Sequence, residues 1–460
     1  MHHLASLLVC SLLINYQTFA ESELLYIYEW PEIPLSSEPS IPPWDAYENH
    51  NNGAGLAIRP AMGIYRSNHY RLFDMLYYRA LNDSRRTMDP EKATLFFIPY
   101  DVSIDSMYTP KDRNDRNATI DWRSKCFNSP FVIKQLLHSK YFSRRKGADH
   151  ILPIGFNYAV GGMMEKEGCK DIFNICKHCL KPSPEDYSFL KFAKSLKNYE
   201  LKGNDWFAVP YPCNYHWSRQ VILPFLWNQK HEKISVVTYI GSRMSTWVRS
   251  YYLRKQMESI CLKHSPRCHF ESYSPSNTDN RVTLFPPEKD PHWKVTRRST
   301  FCFMPTGDTS SRKGLFDVMM YGCIPVTFDP LTASSMYVWH WSTELWKDII
   351  VELPMDYNNE THPLQYDPVQ ILLDLMKYNV SLVRKKQELL RSHVFNLQYS
   401  LESYVEGSTW PLDKDSKPLK DAYDITMDLA LGWSSGRLKK EPLPDISHVW
   451  GEHLPMQIWA

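Results

Sequence analysis

The chain has 460 residues, of which 43% are hydrophobic, so it can bury a large core. Single cores stop growing near ~250–300 residues, and the length therefore predicts two domains. The 53 Lys and Arg residues nearly balance the 51 Asp and Glu residues, which gives a formal net charge of +2. This balance excludes a strong overall field for nucleic acid or for an acidic membrane surface, so any basic site must be local.

An apolar run opens the chain at residues 4–14 and is followed by Thr18, Phe19 and Ala20. Small residues at the −3 and −1 positions of a cleavage site are typical of a signal peptide, here over residues 1–20. The run is shorter than the roughly 20 residues that span a bilayer, and a short uncleaved anchor is the alternative. Four glycosylation sequons follow, at Asn82, Asn117, Asn359 and Asn379. Together with the leader they predict a lumenal protein.

The ten cysteines fit an oxidising compartment, in which disulfides form. Cys261 and Cys268 flank a short turn and predict a local bridge. A second group contains three cysteines and a histidine: Cys169, Cys176, Cys179 and His178. A zinc site there lacks a fourth ligand motif, so a disulfide is favoured over zinc. With the leader removed the number of cysteines is odd, and one thiol is expected to stay free and buried.

Strands and helices alternate along the first half of the chain. Strands are expected at 24–28, 93–99 and 150–154, helices at 70–81 and 131–137, and an irregular loop over 31–60. A second alternating run has strands at 234–240, 299–304 and 323–328, helices at 247–262 and 311–321, and a long helical stretch at 368–399. Beyond residue 400 the polar, Pro-rich composition predicts an irregular tail.

This alternation predicts an α/β fold with two Rossmann-like domains that face each other across a cleft. The expected divisions are a leader at 1–20, a first domain at 21–225, a second domain at 226–400 and a tail at 401–460. Ligands of parallel sheets bind outside the carboxyl ends of the strands, which points to the loops at Gly241 and Gly307.

The segment 301–329 carries the strongest chemical signal, because hydroxyls and exposed N–H groups crowd the start of a predicted helix. The turn and the first helical positions are Gly307, Asp308, Thr309, Ser310, Ser311, Arg312 and Lys313. A positive helix dipole with two added cations suits a diphosphate, and Asp317 further along the helix could meet ribose hydroxyls. The alternative is an ordinary capped strand–turn–helix unit with a solvated basic face.

This segment resembles the exostosin family of glycosyltransferases, above all in GDTSSRKGLFDVMMYGCIPV at 307–326. The resemblance continues to residue 340, where it is most similar to the plant-type xyloglucan galactosyltransferase branch. Further matches follow in family order: LYIYEWP at 25–31, RTMDPEKA at 86–93, FFIP at 96–99, Asp149-His150, VPYP at 209–212, Gly241, and Arg254 seven residues before Cys261. One departure is Phe156 after Ile154-Gly155, where the family usually has arginine.

The resemblance implies a GT-B-like fold and an inverting glycosyltransferase that needs no tightly bound metal and no cofactor. Its donor would be a UDP-sugar, with galactose the first expectation and xylose, arabinose or glucuronate as alternatives. Its acceptor would be an oligosaccharide or polysaccharide, or a glycoprotein glycan, and the Golgi lumen is the expected compartment, with secreted or membrane-anchored forms as alternatives. Nucleic acid is not an expected partner, whereas homo- or hetero-oligomers with related transferases stay open.

Without a metal, the protein itself must meet the charge of the leaving diphosphate. The candidates for donor binding are Gly241, Arg243, Arg254, Arg298, the residues from Gly307 to Lys313, and Asp317. The alternative for each arginine is a surface ion pair. The one Asp-x-Asp, at Asp413 and Asp415, falls in the predicted tail, where a solvated loop is favoured over a metal site.

Inverting transfer also needs a base that deprotonates the acceptor hydroxyl. Asp149 and His150, at the start of a strand in the first domain, are the candidates, and a buried pair that holds the strand is the alternative. A competing function is a non-catalytic exostosin-like protein that binds a glycan or stabilises an active partner. A glycoside hydrolase would need paired carboxylates across a cleft, and the spacing selects no such pair.

Overall fold

The fold is described from a computed structural model of the chain. The structure describes residues 23–30, 51–68, 71–102, 128–155, 178–181, 205–222, 235–243, 245, 248–273, 295–307, 312–329, 332–334 and 336–438. Within these ranges no helix is both long and apolar enough to cross a membrane. The predicted leader over 1–20 lies outside them.

The first half of the chain forms a parallel sheet and a separate hairpin. The strands of this half are β1 (Leu25–Ile27), β2 (Leu56–Arg59), β3 (Ile64–Arg66), β4 (Leu95–Phe97), β5 (His150–Pro153), β6 (His178–Lys181) and β7 (Asp205–Ala208). Five of them pair in the order β1-β4-β5-β6-β7, all parallel, while β2 and β3 form an antiparallel hairpin. The predicted loop over 31–60 is wrong at its carboxyl end, where the chain forms strand β2. The backbone groups of β2 pair with β3, whereas those of a loop contact water.

Helices α1 (Leu72–Leu81), α2 (Ser129–His138) and α3 (Lys140–Arg145) accompany this sheet. In α1, Leu72, Leu76 and Ala80 recur every four residues and are fully buried, so one face of the helix packs on the core. Helix α3 begins where the Ser139 hydroxyl accepts from the Phe142 N–H and ends at Lys146 in the left-handed region.

The second half forms another parallel sheet. Its strands are β8 (Ser235–Ser242), β9 (Cys268–Tyr273), β10 (Ser299–Met304), β11 (Ile324–Thr327) and β12 (Val351–Glu352), with helices α4 (Val248–Lys263), α5 (Lys313–Met320), α6 (Thr343–Ile349), α7 (Pro368–Tyr378) and α8 (Val380–His393). The spatial order is β12-β11-β10-β8-β9. Every residue of β10 is buried, as expected for a central strand that is covered on both faces.

These two sheets confirm the predicted α/β fold class with two Rossmann-like units. The predicted border at 225/226 falls between the end of β7 and the start of β8. The predicted helical stretch at 368–399 divides into α7 and α8 at Asn379.

The predicted irregular tail is wrong, because the chain after residue 400 contains helix α9 (Ala422–Ser435). Asp421 caps this helix by accepting from the Asp424 N–H at 2.9 Å. Tyr423, Met427 and Leu431 are buried in the same cluster as Leu25 and Phe73 of the first unit. The buried residues of α9 recur about every four positions, and polar residues lie between them. The composition of this segment alone therefore suggested a loop.

Ion pairs reinforce the return of the chain to the first unit. Arg79 of α1 donates to the Asp421 carboxylate at 2.5 Å and to Asp424 at 3.1 Å. Arg79 is almost fully buried, so removing both carboxylates would leave an uncompensated charge in the interior. The end of the described chain is therefore part of the core of the first unit.

The disulfide predicted between Cys261 and Cys268 is confirmed. A second bridge, Cys302–Cys323, joins β10 to the residue before β11 and was not predicted, because 21 residues separate its cysteines. Cys213 is free and buried, and burial raises its pKa to about 12. Cys169 and Cys176 lie outside the described residues, and Cys179 lies in β6.

The described sequons are accessible. Asn82 and Asn379 are exposed and Asn359 is half-buried, whereas Asn117 lies outside the described residues. Glycosylation at all four stays a prediction.

Candidate functional site

The second sheet reverses its strand order between β8 and β10. Counted from its own first strand, the sheet runs 2-1-3-4-5, and chain connections leave β8 and β10 in opposite directions. In open parallel sheets such a switch point opens a crevice at the carboxyl ends of the two strands, where ligands bind. The sequence singled out Gly241, which lies at the carboxyl end of β8, and Gly307, which follows β10. The two chain segments meet there, since Ser245 donates to the Gly307 carbonyl.

Arg254 of α4 ties the two loops together. Its Nη1 donates to the Ser242 carbonyl at 2.7 Å, and its Nη2 donates to the Thr306 carbonyl at 2.6 Å. The residue is 4% exposed. Arg254 was predicted to bind the donor, but its guanidinium is engaged by protein carbonyls, so it acts by holding the walls of the crevice in place.

Two serines add to this framework. Ser250, one turn before Arg254 on α4, donates to the Thr306 carbonyl at 2.5 Å. Ser245 donates to the Gly307 carbonyl at 3.1 Å. The backbone at 306–307 is thus held by α4 and by the segment that precedes it.

Arg312 lies against the carboxyl end of β8. Its Nη1 donates to the Pro305 carbonyl at 3.1 Å, and its guanidinium lies 5.8 Å from the centre of the Tyr239 ring. A Cβ on Gly241 would come within 2.9 Å of the Tyr239 hydroxyl and 3.1 Å of Arg312 Nη2. Only glycine therefore lets the arginine and the tyrosine approach this loop closely.

Lys313, the first residue of α5, pairs with Asp317 one turn further along the helix. Lys313 Nζ lies 2.8 Å from Asp317 Oδ2 and 2.8 Å from Asn214 Oδ1, and Asp317 Oδ1 accepts from the Asn214 N–H at 2.7 Å. Asp317 was predicted to meet ribose, but its carboxylate is 8% exposed and is satisfied by these protein donors. Asn214 was not predicted, although the VPYP motif ends only two residues before it.

The two other arginines that were predicted to bind the donor lie at opposite edges of the second sheet. Arg243 follows β8 at the crevice and forms an ion pair with Glu258 of α4. Arg298 precedes β10, and its carbonyl accepts from Ser235 at the amino end of β8. Its placement at the donor site is wrong, because the length of a six-residue strand, about 17 Å, separates the two edges of the sheet.

Asp308, Thr309, Ser310 and Ser311 lie outside the described residues, so their predicted roles stay predictions.

Asp149 and His150 lie at the amino end of β5, at 0% and 2% exposure. His150 Nδ1 lies 2.8 Å from Asp149 Oδ1, and His150 Nε2 lies 2.8 Å from the Tyr28 hydroxyl. The imidazole is stacked on Phe96 with ring centres 4.8 Å apart. This geometry fits the structural alternative, a buried pair that holds the strand, and a role as general base stays a prediction that the burial disfavours.

The protonation of this pair follows from its surroundings. Burial lowers the pKa of His150 against the opposing effect of Asp149. The pKa of Asp149 is also lowered, because the hydrogen bond from His150 and the charge of Arg145 outweigh the effect of burial. A neutral imidazole beside an ionised carboxylate is therefore the expected state near neutral pH.

Metal ligation has no visible basis in the described ranges, where no group of three or more His, Cys, Asp and Glu side chains is placed to hold an ion. Asp413 instead accepts from the backbone N–H groups of Asp415 and Lys417, both at 2.8 Å. The Asp-x-Asp is thus a turn motif at the surface. Independence from metal itself stays a prediction.

The fold and this crevice define a parallel α/β protein with a candidate nucleotide site at a topological switch point. The chain belongs to the exostosin GT47 family, since the Exostosin GT47 domain matches residues 25–351. The predicted resemblance is thereby confirmed.

Relatives of known name are plant proteins. Xyloglucan-specific galacturonosyltransferase 1 of Arabidopsis thaliana is 22% identical over 89% of this chain and 56% of the relative. Probable xyloglucan galactosyltransferase GT14 of the same plant is 25% identical over 60% of this chain and 49% of the relative, and GT19 is 26% identical over 83% and 81%. The chain spans about half the length of the first two.

Two solved structures share a distant likeness. The GtfA/B complex has 10% identity and a TM-score of 0.33 over 81% of this chain and 63% of that chain. The pneumococcal O-GlcNAc transferase GtfA in complex with UDP and GlcNAc has 8% identity and a TM-score of 0.31, over 69% and 56%. At these scores they add nothing to the fold described above.

Proposed function

We propose that this protein is a glycosyltransferase that moves a sugar, galactose or a related one, from a UDP-sugar onto a xyloglucan-type glycan. The observation that carries the proposal is the crevice at the switch point between β8 and β10. Membership of the exostosin GT47 family and the names of the plant relatives support the reaction class and the acceptor class.

The crevice has chemistry that suits a diphosphate. Arg312 uses one of its five donors on the Pro305 carbonyl within the described residues, and a planar guanidinium binds phosphate oxygens well. The residue directly precedes α5, so its charge adds to the positive end of the helix dipole. Preorganised positive charge of this kind stabilises a leaving diphosphate without reorganisation of the site.

Inversion and metal independence are part of the proposal. In this mechanism an acceptor hydroxyl attacks the anomeric carbon of the donor, a protein base takes its proton, and UDP leaves toward Arg312. Transfer that persists in EDTA would support the absence of a metal requirement, whereas full loss that Mn²⁺ or Mg²⁺ restores would contradict it.

The test combines UDP binding with transfer. Thermal shift and calorimetry would measure UDP binding, and a panel of UDP-sugars with xyloglucan oligosaccharides would measure transfer. Arg312→Ala is expected to weaken UDP binding about 10- to 150-fold, because a charge-assisted hydrogen bond contributes roughly 1.5–3 kcal/mol.

Arg384→Ala is the matched control, since Arg384 is exposed on α8. It should leave UDP binding unchanged. Equal UDP affinity in wild type and Arg312→Ala would remove the crevice as the donor site. A folded wild-type protein that binds no uridine nucleotide but binds the glycan would instead favour the non-catalytic alternative.

A further inference from the structure

The segment 209–217 joins the two units of the fold at the start of α5. It leaves the carboxyl end of β7 and pairs with the β2–β3 hairpin through the Ile64–Tyr215 bridge. Backbone hydrogen bonds from Tyr65 to the Asn214 carbonyl and from His216 to the Gly63 carbonyl are both 2.8 Å long. Asn214 is therefore fixed on the side of the first unit.

Gly63 permits this close approach. It has a φ of +72°, and a Cβ there would lie 2.7 Å from the Tyr215 ring and 2.8 Å from the His216 carbonyl. Any other residue would push the segment away from the hairpin, and Asn214 with it.

Asn214 contacts α5 with both of its amide groups. Its backbone N–H donates to Asp317 Oδ1 at 2.7 Å, and its side-chain oxygen accepts from Lys313 Nζ at 2.8 Å. The same oxygen accepts from the Ser67 N–H at 3.3 Å. One side chain therefore links the hairpin to Lys313, and one N–H links the segment to Asp317.

These contacts determine where the first turn of α5 lies. Lys313 and Asp317 neutralise each other, so the pair serves as an anchor rather than as a cation for phosphate. Arg312 is the next residue toward the crevice, and a shift or rotation of the first turn would move its guanidinium away from Pro305 and Gly241.

We propose that Asn214 is a positioning residue for the donor site, which holds the start of α5, and through it Arg312, in register with the first unit. The inference rests on the proposed function, because it assigns to the crevice the diphosphate of a UDP-sugar. A displacement of about 1 Å at such a site can cost on the order of 100-fold in rate.

The test compares Asn214→Ala with Asn214→Asp in the full chain, with UDP, a UDP-sugar and a xyloglucan oligosaccharide as probes. Asn214→Asp keeps an oxygen for Lys313 and for the Ser67 N–H, whereas Asn214→Ala removes it. We expect Asn214→Ala to raise the UDP Kd and the donor KM about tenfold, with the acceptor KM unchanged and with Asn214→Asp within about threefold of wild type.

Asn396→Ala is the matched control, because the Asn396 side chain donates to the Lys420 carbonyl and not to Lys313 or Asp317. It should leave the donor KM unchanged. Wild-type UDP binding with no change in Asn214→Ala would overturn the inference alone, as would equal losses for donor and acceptor in both Asn214 variants. Absence of UDP binding in wild type would overturn the proposed function, and the inference with it.

Discussion

The two parallel sheets carry the two groups of residues that the sequence selected, but at opposite ends of their strands. Gly241 lies at the carboxyl end of β8 and Gly307 follows that of β10, at a switch point, with Arg312 close to Gly241. Asp149 and His150 begin at the amino end of β5 and are covered by Tyr28 and Phe96. Similar motifs in similar sheets therefore have different surroundings, because only the carboxyl edge opens to ligands.

Buried charged residues also have different roles at the two ends of the strands. At the carboxyl edge, Arg254 satisfies carbonyls of two loops and so shapes a surface. At the amino end, Asp149 satisfies His150 and lies 3.4 Å from Arg144, which keeps the start of a strand in place. The first kind of contact should affect catalysis and stability together, and the second should affect stability.

The largest effect is expected from Arg254→Met. Methionine keeps most of the side-chain volume but removes two charge-assisted hydrogen bonds, to the Ser242 and Thr306 carbonyls, which keep only the Tyr239 and Ser250 hydroxyls as donors. The expected cost is about 3 kcal/mol in the free energy of unfolding. Because the crevice walls would shift, transfer per folded molecule should fall on the order of 100-fold. Urea denaturation and initial-rate measurements would check both numbers.

Arg249→Met is its control. Arg249 is also 4% exposed on α4, but it donates to the Tyr357 carbonyl, in the segment after β12. We expect a similar loss of stability and little loss of transfer per folded molecule. If both variants lost transfer equally, the special position of Arg254 would be refuted.

A smaller effect is expected from Asp149→Asn. The asparagine oxygen can still accept from His150 Nδ1, but the charge that faces Arg144 and Arg145 is lost, so stability should fall by about 1–2 kcal/mol. Transfer should stay within about threefold of wild type, as measured per folded molecule with UDP binding as a second readout.

The opposite outcome would restore the catalytic hypothesis. That outcome is loss of transfer in Asp149→Asn with unchanged stability and unchanged UDP binding. Tyr28→Phe, which removes the hydroxyl on the other side of His150, should behave like Asp149→Asn but with a smaller loss of stability.

The smallest effect concerns pH and the joint between the two units. His340 lies before α6 and contacts Thr426 of α9, and burial lowers its pKa to about 4. In the unfolded chain this histidine has an ordinary pKa near 6.5 and binds a proton that the buried histidine does not bind. The free energy of unfolding therefore falls as pH falls from 6.5 toward 4. From pH 7 to pH 5.5 this histidine should lower the free energy of unfolding by about 1 kcal/mol.

The measurement is the difference between wild type and His340→Gln, whose stability should depend less on pH in this window. His216, with a pKa also lowered to about 4 by burial, changes both proteins equally. Asp424, with a pKa raised to about 7 by burial and by Asp421, acts in the opposite direction in both. His138→Gln, at the exposed end of α2, is the control for replacing a histidine on the surface.

Much of the fold could be read from local patterns. The strand at 299–304, the division into two α/β units and the Cys261–Cys268 bridge depend on neighbouring residues, whose spacing and polarity are visible in the sequence. Helix α9 could not, because its buried face is completed by Leu25 and Phe73, some 350 residues away in the chain.

The sequence by itself pointed to two segments of this exostosin GT47 protein, at the carboxyl end of β8 and after β10. Only the tertiary structure decided which of their neighbouring side chains are held by other parts of the protein. Arg254 reaches a carbonyl 52 residues away, and Lys313 reaches Asn214 across 99 residues. A charge buried by folding must find partners inside the protein, and those partners are chosen by the packing of distant segments.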